Sequence, residues 1–511
     1  MDNNRNRRVF SLSLGVAAAA LLAGCVVGPD FDKSAPPDAK GYSPEAMPHQ
    51  TASAKVAGGE AQKFVEGQDI SAEWWTLFHS EALNTLIERA LKNNPDIKSA
   101  QAALDVAHEM TLAQVGAYYP QVSAGLSASR QRTSAAIAPV PNGNVFNFSL
   151  YTPQVSISYV PDVFGLNRRT VESLNAQAEA LRFALIATQI TLTSNVVTAA
   201  IEEAALRAQI GATNDLIAAN TNMLKILRDQ YAKGYASRLD VAAQESALAQ
   251  TAATLPPLMK QLAQQRDLLA DLAGEYPDKA LPEKFTLEGL QLPRELPVSL
   301  PSRLVEQRPD VRQAEENLHS ASAQIGIAVA NRLPSFMLTA DAGTMGLTPA
   351  GAFNANNTFL TLTGGLTQPV FDGGTLLHKE RAAKAAYVQA AEQYKSTVLA
   401  AFQNVADTLH ALETDADALK AQAAAADAAK VTLDLTKRQM QAGELNNLAL
   451  FTAETAYQQA VINLLQSEAN RYADTAALIQ ALGGGWWNRK DSDTPETVAS
   501  TEPQPAREAV R

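Results

Sequence analysis

The chain is written twice, and that duplication limits its possible folds more than any other feature. Asn94-Pro95-Asp96-Ile97 heads a helical stretch that ends at Pro120, and Arg308-Pro309-Asp310-Val311 heads another that ends at Pro334, an offset of 214 residues. Further on the offset is 209. Tyr231-Ala232-Lys233-Gly234 matches Met440-Gln441-Ala442-Gly443, Gln244-Glu245 matches Ala453-Glu454, and Ala273-Gly274 falls opposite Leu482-Gly483. Ala-rich helices resemble one another by chance, but chance does not repeat proline and glycine in the same order.

Each copy follows one grammar. A helix comes first, over Glu81 to Ala117 and again over Pro301 to Arg332. Two stretches of period-two alternation follow. In the first copy Val122, Ala124, Leu126 and Ala128 alternate with polar or small residues, as do Val155, Ile157 and Tyr159. The second copy has Phe336, Leu338, Ala340 and Ala342, then Leu360 and Leu362 among threonines. Such alternation predicts strands with one face on lipid and one on water. Polar connectors, Thr133 to Asn144 and Gly343 to Asn357, read as exposed loops. A Pro–Gly elbow closes each pair, Pro161 to Gly165 and Pro369 to Gly374.

Beyond each elbow runs a helical pattern without proline, Asn167 to Lys233 and Thr375 to Ala442. At 1.5 Å per residue each spans roughly 100 Å, a coiled-coil length rather than a globular one. A glycine turn and a returning helix complete the copy, Leu239 to Leu272 and Leu448 to Ala481. The two shorter helices of a copy together match its long one, so they can stack beside it. Four strands cannot close a membrane barrel, because bacterial barrels need at least eight. Oligomerisation follows, and a trimer with twelve strands is one economical solution.

The N-terminus reads as a signal peptide over residues 1–24. Arg5, Arg7 and Arg8 precede an apolar run too short to span a bilayer, which ends in Leu22-Ala23-Gly24 before Cys25. Cys25 is the only cysteine and is expected to carry a covalent lipid, with no other cofactor. Removing three arginines and Asp2 takes the net charge from −11 to −13. An acidic chain argues against nucleic acid as a partner. Polar residues interrupt the later apolar stretches, such as Ala180 to Ala200, so none is expected to cross a membrane as a helix. Any crossing would be a β-barrel.

Taken together, these features resemble the TolC-like outer-membrane efflux proteins, in particular their NodT/OprM-like lipoprotein branch. The resemblance runs from Cys25 to about Gly485. It rests on Cys25-Val26-Val27-Gly28-Pro29-Asp30-Phe31, Trp75-Thr76-Leu77-Phe78, Asn94-Pro95-Asp96, Asp162-Val163-Phe164-Gly165, Pro369-Val370-Phe371-Asp372-Gly373-Gly374 and Tyr231-Ala232-Lys233-Gly234. It implies an α+β membrane protein: a homotrimeric twelve-stranded β-barrel continuous with a periplasmic α-helical barrel, ringed by a mixed equatorial belt. The expected divisions are 25–80 (anchor and N-terminal belt), 81–275 (first repeat), 276–300 (Pro-rich connector), 301–482 (second repeat) and 483–511 (belt segment and polar tail). The implied function is the exit duct of a tripartite efflux pump. Its partners would be a periplasmic adaptor, an inner-membrane transporter of the RND type and outer-membrane lipid.

Such a duct needs no catalytic residues, and no GxSxG, P-loop or HExxH occurs. The six histidines lack metal-ligand spacing and read as surface helix residues. By the same resemblance, Leu448 and Asp240 match periplasmic gate positions and Glu444 supplies charge at the second turn. Ala449 and Thr452 stand where other members place gate acids. As ordinary helix residues, Leu448 would simply pack and Asp240 would cap a first turn. Gly234, Tyr235 and Ala236, with Gly443, Glu444 and Leu445, form the tips expected to meet the adaptor. Trp74 and Trp75 read as anchors of the helical domain to the belt. Two alternatives remain: the exit channel of a type I protein-secretion system, and a structural coiled-coil lipoprotein without transport activity. A periplasmic adaptor fits less well, since it would carry one hairpin rather than two.

Overall fold

The protein is described by a computed structural model over residues 26–39, 41–44, 48–132, 147–279, 281–445 and 447–489, with residues 447 and 448 as backbone only. The signal peptide, Cys25, the connector from Thr133 to Asn144 and the tail from residue 490 lie outside the described residues.

In chain order the elements are β1 (Lys63–Glu66), α1 (Glu81–Asn93), α2 (Pro95–Val115), β2 (Gln121–Arg132), β3 (Asn147–Tyr159), α3 (Leu166–Ala232), α4 (Arg238–Ala253) and α5 (Leu255–Leu272). The second copy continues with β4 (Glu295–Val298), α6 (Pro301–Gln307), α7 (Pro309–Ala330), β5 (Ser335–Thr344), β6 (Thr358–Thr367), α8 (Thr375–Gln441) and α9 (Asn447–Ala481). The long helices α3 and α8 are both 67 residues. Identical lengths in the two copies are what a duplication leaves behind.

Two expectations on helices are corrected. The opening helix of each copy is a pair, broken at Asn94 and at Arg308. The following residues, Pro95 and Pro309, force extended backbone on their predecessors, with ψ 128° at Asn94 and 121° at Arg308. The first returning helix is also a pair, interrupted at Thr254, because Pro256 and Pro257 can sit only in a first turn. Its counterpart α9 has no such prolines and runs unbroken. One window of α3 is apolar and long enough to cross a bilayer by composition alone, but 56% of it is buried inside the protein.

The chain divides into two compact units. One holds residues 26–36, with the described residues of Pro95–Thr188 and Pro309–Ala400. Its centre is an antiparallel sheet in the order β2-β3-β5-β6. Register sets its chemistry. Val122 pairs with Ile157, Ala124 with Val155, Val155 with Ala342, Ile157 with Ala340, Ala340 with Leu362, and Ala342 with Leu360. These residues share one face, and Leu126, Leu360 and Leu362 stand exposed on it. Toward the β2–β3 hairpin this face ends in Arg130 and Arg132, opposite Ser149 and Asn147. The other face carries Ser123, Ser127, Gln154, Ser156, Ser158, Thr339, Thr361 and Thr363 along its middle, with Phe148, Leu150, Met337 and Phe359 nearer the strand ends. Asp341, the one ionisable side chain among its strand residues, accepts a 2.5 Å hydrogen bond from Ser156 Oγ. A soluble protein would hide the apolar face; this unit presents it.

At the elbows an aspartate caps each long helix. Asp162 accepts from the amides of Asn167 and Arg168, and Asp372 from those of Gly374 and Leu376. These bonds satisfy helix N-terminal amides that would otherwise lack partners.

The other unit comprises the described residues of Pro37–Asn94, Gln189–Arg308 and 401–489. Here β1 pairs in parallel with β4, Phe64 opposite Leu296. Trp486 Nε1 donates to the Gln307 carbonyl and Trp487 Nε1 to Asp69, at 2.7 and 2.8 Å. Segments expected to form the belt therefore meet in this unit, whereas residues 26–36 lie in the sheet-bearing one. Trp74 and Trp75 are buried, Trp74 packing edge-on against Phe78, which in turn meets Tyr472. Arg471 is also buried and donates to Thr51, the Glu60 carbonyl and Gln62. Burial, and then the Asp415 carboxyl beside it, push the Asp474 carboxyl well above its usual range.

Candidate functional site

Both hairpin tips lie in the second unit. Helix α3 ends in a Schellman turn: Gly234 N–H donates to the Tyr231 carbonyl at 3.0 Å and Tyr235 N–H to Gln230 at 2.8 Å. Helix α8 ends the same way, Gly443 donating to Met440 at 3.0 Å and Glu444 to Gln439 at 2.9 Å. The motif needs a left-handed residue, and Gly234 and Gly443 have φ of +78° and +76°. A Cβ built at either would meet nothing within 4 Å. The turns are therefore held by backbone, and the space beyond them is open.

Two small apolar clusters brace the tips. Leu224, Leu227 and Val241 join the ascending and descending helices of the first hairpin, with Ala236 packed against them. Leu433, Leu450 and Ala453 do so in the second, and Met223 packs on both clusters. One methionine thus ties the two hairpins together. Beyond this bracing the surface is exposed: Tyr235 is 82% exposed, with Leu239 and Glu444 also in solvent and Leu445 partly so.

Asp240 is engaged locally. Its carboxylate accepts from Ser237 N–H at 2.9 Å and Ser237 Oγ at 2.7 Å, while Ser237 Oγ accepts from Asp240 N–H, a capping box on α4. Asp240 thus caps the first turn of its helix. Leu448 lies in the first turn of α9, and its side chain lies outside the described residues.

A second constellation, in the sheet-bearing unit, escaped sequence reasoning. Arg169 on α3 is 4% exposed and its guanidinium donates to the carbonyls of Val27 and Gly28, and to Asp30 and Glu172. Gly28, at φ +97°, approaches Gly326 on α7 so closely that a Cβ would lie 2.4 Å from Gly326 Cα. Val27 N–H donates to the Phe164 carbonyl, and Val26 lies against Gly165 of the first elbow. Phe31 stacks on His319, rings 4.4 Å apart. The segment that follows Cys25 is thereby clasped to the junction of strand and helix.

His319 departs from the expectation of a plain surface histidine. Hydrogen bonds to Glu172 and then Glu316 favour its charged form and raise its pKa to about 9. Burial raises Glu172, but bonds from His319 and Arg169 outweigh it and hold the carboxyl low. A raised histidine pKa contributes stability that is full below the ordinary value of 6.5 and is lost as pH rises through about 9. Chymotryptic cleavage after Phe31 is therefore expected to accelerate as pH passes 9, and His319→Gln to remove that step. An identical step in the variant would refute the assignment. Among the described residues no group of histidines, cysteines and carboxylates could hold a metal ion.

Residues 86–275 and 300–484 match the family described as outer membrane efflux protein. The chain is 30% identical over 485 residues to the probable efflux pump outer membrane protein SepC of Pseudomonas putida, covering 93% of this chain and 97% of that one. It is 25% identical to nodulation protein T of Rhizobium leguminosarum, covering 91% and 96% of the two chains. Among solved structures, the Campylobacter jejuni CmeC outer membrane channel superposes with a TM-score of 0.80 at 20% identity, over 91% of this chain and 96% of that one. The Neisseria gonorrhoeae MtrE channel gives 0.76 at 24% identity, over 92% and 100%.

Proposed function

The chain belongs to the outer membrane efflux protein family, as the outer-membrane channel of a tripartite efflux pump, and from that premise we propose how its parts divide the work. The family is one of transport proteins rather than enzymes. Three copies set their four-stranded sheets edge to edge into a twelve-stranded barrel. The single observation that carries this is the two-faced sheet with its apolar side in the open. Lipid can cover that side, and the Ser/Thr/Gln side then lines water. The backbone of β2 and β6, each paired on one side only within the sheet, needs partners in a bilayer, and other copies supply them.

Cys25 carries the lipid, and the clasp of residues 26–31 by Arg169 and His319 holds that anchor at the strand-to-helix elbow. No cofactor beyond this lipid is required. The glycine tips receive a periplasmic adaptor, and Leu448, Asp240 and Glu444 stand where the tunnel narrows. The inner-membrane partner is an RND-type transporter that delivers small toxic compounds; some relatives are named for toluene and antibiotic efflux. The duct itself conducts passively, as an exit path for what the inner-membrane transporter delivers.

The test is the mass of the purified protein in detergent by native mass spectrometry. Three chains per particle is the expected result, and a monomer or dimer would contradict the trimeric barrel.

A further inference from the structure

The duplication allows the contact between neighbouring copies to be read from a contact inside one chain. Within the chain the two repeats meet where β3 pairs with β5, from Gln154 opposite Gly343 to Tyr159 opposite Leu338. Strand β2 maps onto β5 by the offset of 214, and both begin at equivalent residues, Gln121 and Ser335. The base of the first hairpin is Gln121 opposite Ser158, and that of the second is Ser335 opposite Thr367. Strand β3 therefore maps onto β6 by 209, the same offset that relates the helices beyond. With both offsets fixed, the β3–β5 pairing can be carried over to β6 and a neighbour's β2.

We propose that β6 of one copy pairs antiparallel with β2 of the next in a single register, Leu366 opposite Leu126. The neighbouring pairs are Thr363 with Ser129, Gly364 with Ala128, Gly365 with Ser127, Thr367 with Gly125 and Gln368 with Ala124. The inference rests on the trimeric reading and gives that reading its seam.

The faces are consistent with the register. The repeats map face onto face, and so the derived pairs agree in face. Leu366, Leu126, Gly364 and Ala128 all belong to the apolar side, while Gly365, Ser127, Thr367 and Gly125 all belong to the polar side. A slip of one residue would set Leu366 against Gly125 or Ser127 and turn one strand's leucines into the lumen. The occupant of the free edge is thus a second copy of this chain. It extends a sheet whose other hairpin-to-hairpin junction is already formed within one chain.

Paired cysteines test it in the full-length protein in membranes. Leu126→Cys with Leu366→Cys, and separately Ser127→Cys with Gly365→Cys, are oxidised and run without reductant. Directly opposed Cβ atoms lie about 4.5–5.5 Å apart and diagonal ones about 7–8 Å, and a disulfide spans only the former without distortion. The expected result is a ladder ending in a covalently closed trimer for at least one of these adjacent pairs. It should exceed several-fold the yield from Leu366→Cys with Ala124→Cys or Ala128→Cys. A trimer that cross-links best at those offset positions, or at none, overturns the register and leaves the trimer standing. A wild-type particle that is not trimeric overturns both.

Discussion

Leu362→Arg is expected to prevent assembly of the barrel, while Thr361→Arg, one residue away, leaves it intact. Both positions lie at the middle of β6, and both backbones pair with β5. They differ only in face. Leu362 is 74% exposed beside Ala340 on the apolar side, whereas Thr361 stands opposite Asp341 on the polar side. An arginine at the bilayer midplane on a lipid face costs about 2–4 kcal/mol, and a trimer would meet that cost three times over. An arginine in the lumen stays in water and gains a carboxylate neighbour. Heat-resistant oligomer in outer-membrane extracts is the measurement. Equal assembly of the two variants would mean that the apolar face does not meet lipid.

The second large effect is expected at the tips. Replacing Gly234 and Gly443 together with tryptophan should reduce efflux to the level of a strain lacking the channel, with trimers still present. A side chain at φ near +77° costs on the order of 1–3 kcal/mol of local strain, too little to unravel helices of this length. Nothing within the chain lies where the new side chains would go. Their bulk would instead occupy the space into which the adaptor's hairpin is proposed to fit. Alanine at both positions imposes the same strain without the bulk, and should retain most of the efflux. Dye accumulation in intact cells, read beside trimer abundance, separates the two effects. Unimpaired efflux in the tryptophan variant would remove the tips from the adaptor contact.

The repeat, the long helices and the strands were legible because each leaves a periodic or punctuated trace. Pro120 and Pro334 end helices just before alternation begins, and no proline interrupts the 67 residues of α3 or α8. Breaks within helical stretches were less legible. Pro95 and Pro309 mark helix starts, but the preceding turns are helical too, so each pair reads as one helix until the backbone of Asn94 and Arg308 is seen. The tips were located by Gly234 and Gly443, whereas the bracing role of Met223 was invisible. A methionine on a long helix looks alike whether it touches one neighbour or two.

The clasp was the least legible part. Gly28, Arg169, His319 and Gly326 are separated by more than a hundred residues at most of their contacts, and none belongs to a local motif of recognised chemistry. In the sequence, Gly28 and Phe31 stand out only as part of a family-like string after Cys25. Their physical reason, a close backbone approach and a ring stacked on a charged imidazole, needed coordinates. Asp240 shows the opposite case. Ser237 three residues before it is a capping-box signal in sequence, and the box is present.

The central claim is that copies of this chain enclose a water-filled path through the outer membrane. Single-channel recording of the purified protein in planar lipid bilayers tests it most directly. Discrete, repeatable current steps are predicted, absent from Leu362→Arg and present in Thr361→Arg. A trimer that inserts into the bilayer yet never passes a unitary current would contradict the account.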